Sequence, residues 1–190
     1  YKDTDGDGKR ENLDGRKAKI EIMVVNGWTD WMQTVQMATE YLQEVGIDAR
    51  IRTMEIGQKI DKFKNAEYVA VILWTDIGAT PHTFYQNVLH TKGIGVSLQA
   101  NHGIHSEEMD SLLDEFIQTA DLDRQREISA KLQAFFAENL MMIPVFSNPE
   151  WYQYSTKRFG GWPTAENPFV NPRFYDDGSR VMMINSLYQK

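Results

Sequence analysis

Apolar and polar positions divide this chain into an ordered series of short elements. Lys19–Val25 (KIEIMVV) alternates and then turns continuously apolar, which predicts a partly buried strand. Thr29 is placed to cap a helix running to about Val45, with Trp31, Met32, Val35, Ala38, Leu42 and Val45 at helical spacing. Gly46 then fits the left-handed stop that ends many helices. Residues 49–55 (ARIRTME) alternate as a second strand, so strand, helix and strand follow with short joins, the pattern of a parallel unit. A short helix is predicted around 58–64. After it, 68–74 (YVAVILW) is an apolar run of strand length, read as an interior strand.

The second half reads differently. A loop over 75–81 (TDIGATP) leads to a short helix through Phe84 and Val88, and 93–103 looks irregular. Ser106 can cap a helix with Met109, Leu112, Leu113, Phe116 and Ile117 on one face. Asp121 opens another, carrying Ile128, Leu132, Phe135 and Phe136 inward, and 142–146 (MIPVF) is a short strand-like run. Residues 149–190 hold four of the six prolines and many Trp and Tyr, with no long helical period. The expected organisation is therefore a lobe over 1–148 and a tail over 149–190 that needs another surface to pack on.

Composition narrows the function classes. The chain has 190 residues, 42% hydrophobic, enough for a sizeable core in one domain or one lobe of a larger protein. A net charge of −7 argues against a nucleic-acid partner. There are no cysteines, which excludes disulfides and is compatible with either redox compartment.

Candidate chemistry begins at the amino end. YKDTDGDGKRENLD carries the spacing of a calcium loop, with Asp3, Asp5 and Asp7 alternating, Gly8 next, and Asp14 closing the run. Clustered carboxylates repel one another unless a cation lies among them, and calcium prefers hard oxygen ligands. The expected ligand set is Asp3, Asp5, Asp7, Lys9 and Asp14, holding a structural calcium outside any helix-loop-helix hand; an acidic solvated turn is the alternative. The loop opens the chain, which reads as one piece of a larger protein. His102 and His105, near His90 and Glu107, read as solvated histidines rather than a transition-metal site. No nucleophile elbow and no phosphate-cradling glycine loop is visible, and no carboxylate pair stands out for glycoside hydrolysis.

The ordered set of motifs resembles the extracellular solute-binding proteins of family 5. It comprises DTDGDGKRENLDG, the turn Gly46-Ile47-Asp48, LWTDIGATPHTFY with Trp74, Asp76, Pro81 and Phe84, and MMIPVFSNPEWYQY with Ile143 and Pro144. KRFGGWPTAENPF, with Gly161, Trp162, Pro163, Asn167 and Pro168, resembles the oligosaccharide-binding branch. The resemblance implies an α/β fold: one lobe of a bilobal periplasmic-binding type II protein, a mixed sheet flanked by helices. It implies a carboxy-terminal lobe whose tail returns to a missing amino-terminal lobe. It further implies a non-enzymatic protein, periplasmic or extracellular and membrane-associated at full length, that delivers an oligosaccharide or oligopeptide to the permease of an ABC importer.

In peptide-binding relatives an Asp at the position of Asp76 pairs with the peptide amino group, although here one more residue separates it from Pro81. The other ligand candidates are aromatic. Sugars offer apolar C–H faces to rings, so Trp28, Trp74, Trp151, Tyr154 and Trp162 suit an oligosaccharide. Trp28 and Trp31 flank the first strand-helix turn, the edge where open α/β sheets bind ligands, and Trp74 ends the third strand at the same edge. Trp151 and Gln153 would share one strand face, Tyr152 and Tyr154 the other. Packing of these rings against a lobe interface is the structural alternative. Two other classes stay open: a calcium-stabilised glycan-adhesion domain without transport, and a glycoside-processing enzyme.

Overall fold

The computed structural model describes residues 1–75, 78, 80–147, 152–173 and 177–190. They divide into two compact units, Tyr1–Ile143 and Pro144–Lys190.

The first unit is built on a parallel sheet of β1 (Lys19–Val25), β2 (Asp48–Met54) and β3 (Ala70–Val71), in the order β2-β1-β3. Helix α1 (Thr29–Glu44) crosses from β1 to β2, and α2 (Ile56–Lys64) crosses from β2 to β3. The register pairs Lys19 with Asp48 and Val25 with Met54. β1 is the apolar centre: Met23, Val24 and Val25 are buried, so both of its faces are covered. Ile22 and Val24 pack with Trp31 and Val35 of α1, and Ile20, Leu42, Ile72 and Trp74 close around them.

Several expectations need correction. The sheet of this unit is parallel among the described residues, not mixed. The apolar run 68–74 forms a two-residue strand at the sheet edge rather than an interior strand, extended by one bond from the Ile72 amide to the Met23 carbonyl at 3.2 Å. The Ile72 carbonyl is taken by the ammonium of Lys59 rather than by a neighbouring strand. Thr29 is the first helical residue of α1, and the capping position falls to Trp28, whose ring packs on Trp31.

Helices α3 (Pro81–Leu89), α4 (Glu107–Gln118) and α5 (Leu122–Asn139) enclose a second apolar cluster. Val88, Leu89, Met109, Leu112, Leu113, Phe116, Ile128 and Leu132 are buried there. Pro81 occupies the first turn of α3, where its missing N–H costs nothing. Asp121 caps α5 by accepting from the amides of Asp123 and Arg124, as its side-chain chemistry predicts. A 3₁₀ turn, Thr91–Gly93, links α3 to the irregular stretch that follows. The stretch 142–146 forms no strand.

The second unit holds an antiparallel pair, β4 (Phe159–Gly160) with β5 (Tyr188–Gln189), and a helix, α6 (Asp177–Ser186). That helix was not expected. Gly161, at φ +86°, lies so close to the Ser186 carbonyl that a side chain there would collide with it. Tyr152 and Tyr154 lie outside any strand, yet their rings stack at 6.0 Å between centroids. No helix among the described residues is long and apolar enough to cross a membrane.

Candidate functional site

In a parallel sheet the carboxyl ends of all strands lie on one edge, and ligands collect where successive crossovers leave in opposite directions. With the order β2-β1-β3, that point lies between β1 and β3. Two of the predicted residues meet there. Trp28 follows β1 and Trp74 follows β3, with ring centroids 6.1 Å apart. Trp31 completes the trio, 4.8 Å from Trp28 in an edge-on arrangement and 5.7 Å from Trp74. The three rings differ in access: Trp31 is 5% exposed, Trp28 is 38% exposed, and Trp74 is partly exposed. A buried indole thus supports two indoles that solvent can reach.

Beneath the trio lies Lys59, 1% exposed. Its ammonium is 4.4 Å from the Trp31 ring centroid and 5.7 Å from that of Trp74, and it donates to the Ile72 carbonyl at 2.5 Å. Burial lowers its pKa from 10.5 to about 8. The ring faces and the carbonyl offset part of the cost of burying that charge. Sequence reasoning missed this residue; the available signal was a lysine where the apolar face of α2 needs a core residue, four positions before Phe63.

Trp74 also forms one wall of an open recess of about 330 Å³. The other lining residues are Gln86 and Asn87 of α3, Lys92 and Gly93 of the 3₁₀ turn, and Val96, Ser97 and Leu98. An indole face with amides, a hydroxyl and an ammonium around it can stack on an apolar face and hydrogen-bond to its polar rim. The recess is braced from behind. Ser97 Oγ donates to the Asn87 carbonyl at 2.9 Å, and Lys92 pairs with Asp114 at 3.1 Å. Lys92, and then His90, hold the Asp114 carboxyl below its ordinary range. Gln86, Asn87 and Lys92 were not singled out from the sequence, where nothing separates them from ordinary surface polar residues.

Asp76 and Trp151 lie outside the described residues. In the second unit Tyr154 stacks on Trp162 at 5.2 Å, and Tyr152 stacks on Tyr154 in turn. The result is a short ladder of three rings in which neighbouring planes lie within 20° of each other.

His102 and His105 stack at 4.9 Å and are tied to the carbonyls of Val88 and Leu89. They are half-buried rather than solvated, and burial lowers the pKa of His102.

The acidic loop gathers Asp3, Asp5 and Asp7 as the spacing predicts. The fourth carboxylate is Glu11, not Asp14: one oxygen from each of Asp3, Asp5, Asp7 and Glu11 lies within 4.8 Å of the others. Asp14 is drawn away by Arg16 at 2.9 Å and by the Asn12 side chain. Lys9 donates its amide to Asp7, and its ammonium reaches Asp48 at 3.6 Å.

The profile of the bacterial extracellular solute-binding proteins, family 5 (middle region), matches residues 1–95, half of the chain. The whole chain superposes on the periplasmic oligopeptide-binding protein of an oligopeptide ABC transporter from Thermotoga maritima, solved with bound mannohexaose, with TM-score 0.84 and 26% identity. The match covers 100% of this chain and 37% of that protein, so the chain spans little more than a third of this relative's length.

Two further structures share the fold. The oligopeptide-binding protein AppA of Bacillus subtilis, in complex with a nonapeptide, matches over 74% of this chain and 27% of its own, at 18% identity and TM-score 0.58. The periplasmic binding protein MelB of Agrobacterium fabrum, in complex with stachyose, matches over 74% of this chain and 23% of its own, at 20% identity and TM-score 0.56. Comparison with the curated proteins gave no match. The α/β lobe is therefore part of a periplasmic-binding-protein fold, and the family is one of binding proteins rather than enzymes. With half its length matched by the profile and all of it by the Thermotoga structure, this chain belongs to the bacterial extracellular solute-binding proteins, family 5.

Proposed function

We propose that this chain is the part of an ABC importer's solute-binding component that supplies one side of its cleft. It captures an oligosaccharide outside the cell membrane, for delivery to a permease. The observation that carries this reading is the indole pair at the β1/β3 edge: Trp28 is open to solvent on a buried Trp31, and Trp74 beside them walls a recess rimmed by Gln86, Asn87 and Ser97. Pyranose rings present C–H faces to such indoles and hydroxyls to such amides. The relative from Thermotoga maritima that matches the whole chain was solved with mannohexaose bound, which supports the same class of solute.

An oligopeptide is the second reading. The nonapeptide held by AppA favours it, and a carboxylate at Asp76 would then meet the peptide amine. In either case the tail over 149–190, with the stacked Tyr152, Tyr154 and Trp162, belongs with a second lobe. Solute contacts made only in the closed state would drive hinge closure of the two lobes.

Calorimetric titration of the protein at its relatives' full length separates the readings. Mannohexaose should bind with micromolar or tighter affinity, while nonapeptides of mixed sequence bind at least about tenfold more weakly. Tight peptide binding with no response to manno-, gluco- or galacto-oligosaccharides would overturn the sugar assignment.

A further inference from the structure

Four carboxylates on one short loop do not by themselves make a metal site; what sets this loop apart is Glu11. Glu11 is 4% exposed. Its Oε2 accepts from the amide and the hydroxyl of Thr4, both at 2.8 Å, which fixes the plane of the carboxylate. Its Oε1 is buried and has no hydrogen-bond partner among the described residues. A buried carboxylate oxygen without a donor is costly, and hydrogen bonding on the other oxygen does not relieve it. That carboxylate belongs to the same group as Asp3, Asp5 and Asp7. The aspartates are held by the loop's own amides: Asp3 accepts from Gly6 and Gly8, Asp5 from Asp7, and Asp7 from Lys9. Part of the negative charge is offset by Lys17, whose ammonium contacts Asp7 and lies 3.8 Å from Asp5.

We propose that this loop is a calcium site closed by Glu11, and that Lys17 is the internal cation the ion displaces. The span of the oxygen cluster suits calcium. Two ligands on opposite sides of calcium lie about 4.6–5.2 Å apart, and across magnesium only about 4.0–4.2 Å. The four oxygens lie within 4.8 Å of one another, a span that admits the larger sphere.

The site's place in the fold assigns it a structural role. The Arg10 amide donates to Gly46 at 2.7 Å, the Asp48 amide donates to Ala18 at 2.8 Å, and Lys9 reaches Asp48. Calcium therefore ties the start of the chain to the α1–β2 turn, at the amino edge of the sheet, opposite the indoles.

The test is calorimetric titration of the chelator-stripped chain with CaCl₂ and MgCl₂, with melting curves in parallel. Calcium should bind with one-to-one stoichiometry, raise the melting temperature, and bind more tightly than magnesium. Glu11→Gln should weaken calcium about tenfold or more, while Asp14→Asn leaves it unchanged. Lys17→Met should tighten it about threefold or more, because no internal cation then competes. This gain decides the matter even if Glu11→Gln fails to fold. No binding and no melting shift at about 10 mM calcium, far above the range of extracellular sites, overturns the proposal. So do an equal response to magnesium, binding lost with Asp14→Asn but kept with Glu11→Gln, or a Lys17→Met chain that binds no more tightly.

Discussion

Trp28 and Trp31 are one helical turn apart, and the fold gives them opposite tasks. Trp31 is sealed between β1 and α1, so Trp31→Ala should cost about 3 kcal/mol or more of stability, read by urea denaturation. Trp28 rests edge-on against it and is 38% exposed, so Trp28→Ala should cost about 1 kcal/mol of stability but about tenfold in solute affinity. Equal stability losses for the two would contradict this division.

Lys59 gives a pH signature. Burial lets its proton go from about 8 in the folded state, while the unfolded chain keeps it to the ordinary 10.5. Between those values the unfolded chain binds more protons, so this group adds stability as pH rises; below about 8 its contribution is level. The melting temperature of the native chain minus that of Lys59→Met should therefore climb between pH 8 and pH 10. A flat difference would mean that the ammonium is not buried as described. The indoles at the sheet edge were legible from the sequence because parallel connectivity fixes which ends of the strands carry ligand. Lys59 was not, since a lysine on an apolar face also fits a side chain whose ammonium reaches water.

Among the elements, the helices with a chemical start signal were read at their starts and on their apolar faces. α5 is the clearest, opened by Asp121 and carrying Ile128 and Leu132 inward. Asp121→Ala removes both cap bonds, to the amides of Asp123 and Arg124, and should cost about 1 kcal/mol by urea denaturation; a neutral substitution would show that α5 is held by packing alone. Two failures share a cause. β3 was overestimated because seven apolar residues in a row look like a buried strand, while only Ala70 and Val71 pair in register with β1 and Ile72 adds a single bond. α6 was missed because its apolar residues, Val181 to Ile184, are contiguous rather than periodic and mostly exposed, so local pattern carried no helical signal. The loop was half legible: alternation brings Asp3, Asp5 and Asp7 together, but the fourth carboxylate beside them is Glu11, held by Thr4, while Asp14 turns to Arg16.

At the scale of the molecule, a parallel sheet carries its acidic loop at one edge and its accessible indoles at the other. Family membership and a superposition covering the whole chain fix the architecture, and the chain spans little more than a third of that relative. The central claim is that solute lies against the carboxyl edge of this sheet. Hydroxyl-radical footprinting, read by mass spectrometry at each tryptophan with and without saturating mannohexaose, tests it most directly. The account predicts strong protection of Trp28 and Trp74 on binding and little change at Trp31, which is already buried. Binding that leaves Trp28 and Trp74 as reactive as in the free protein would contradict it.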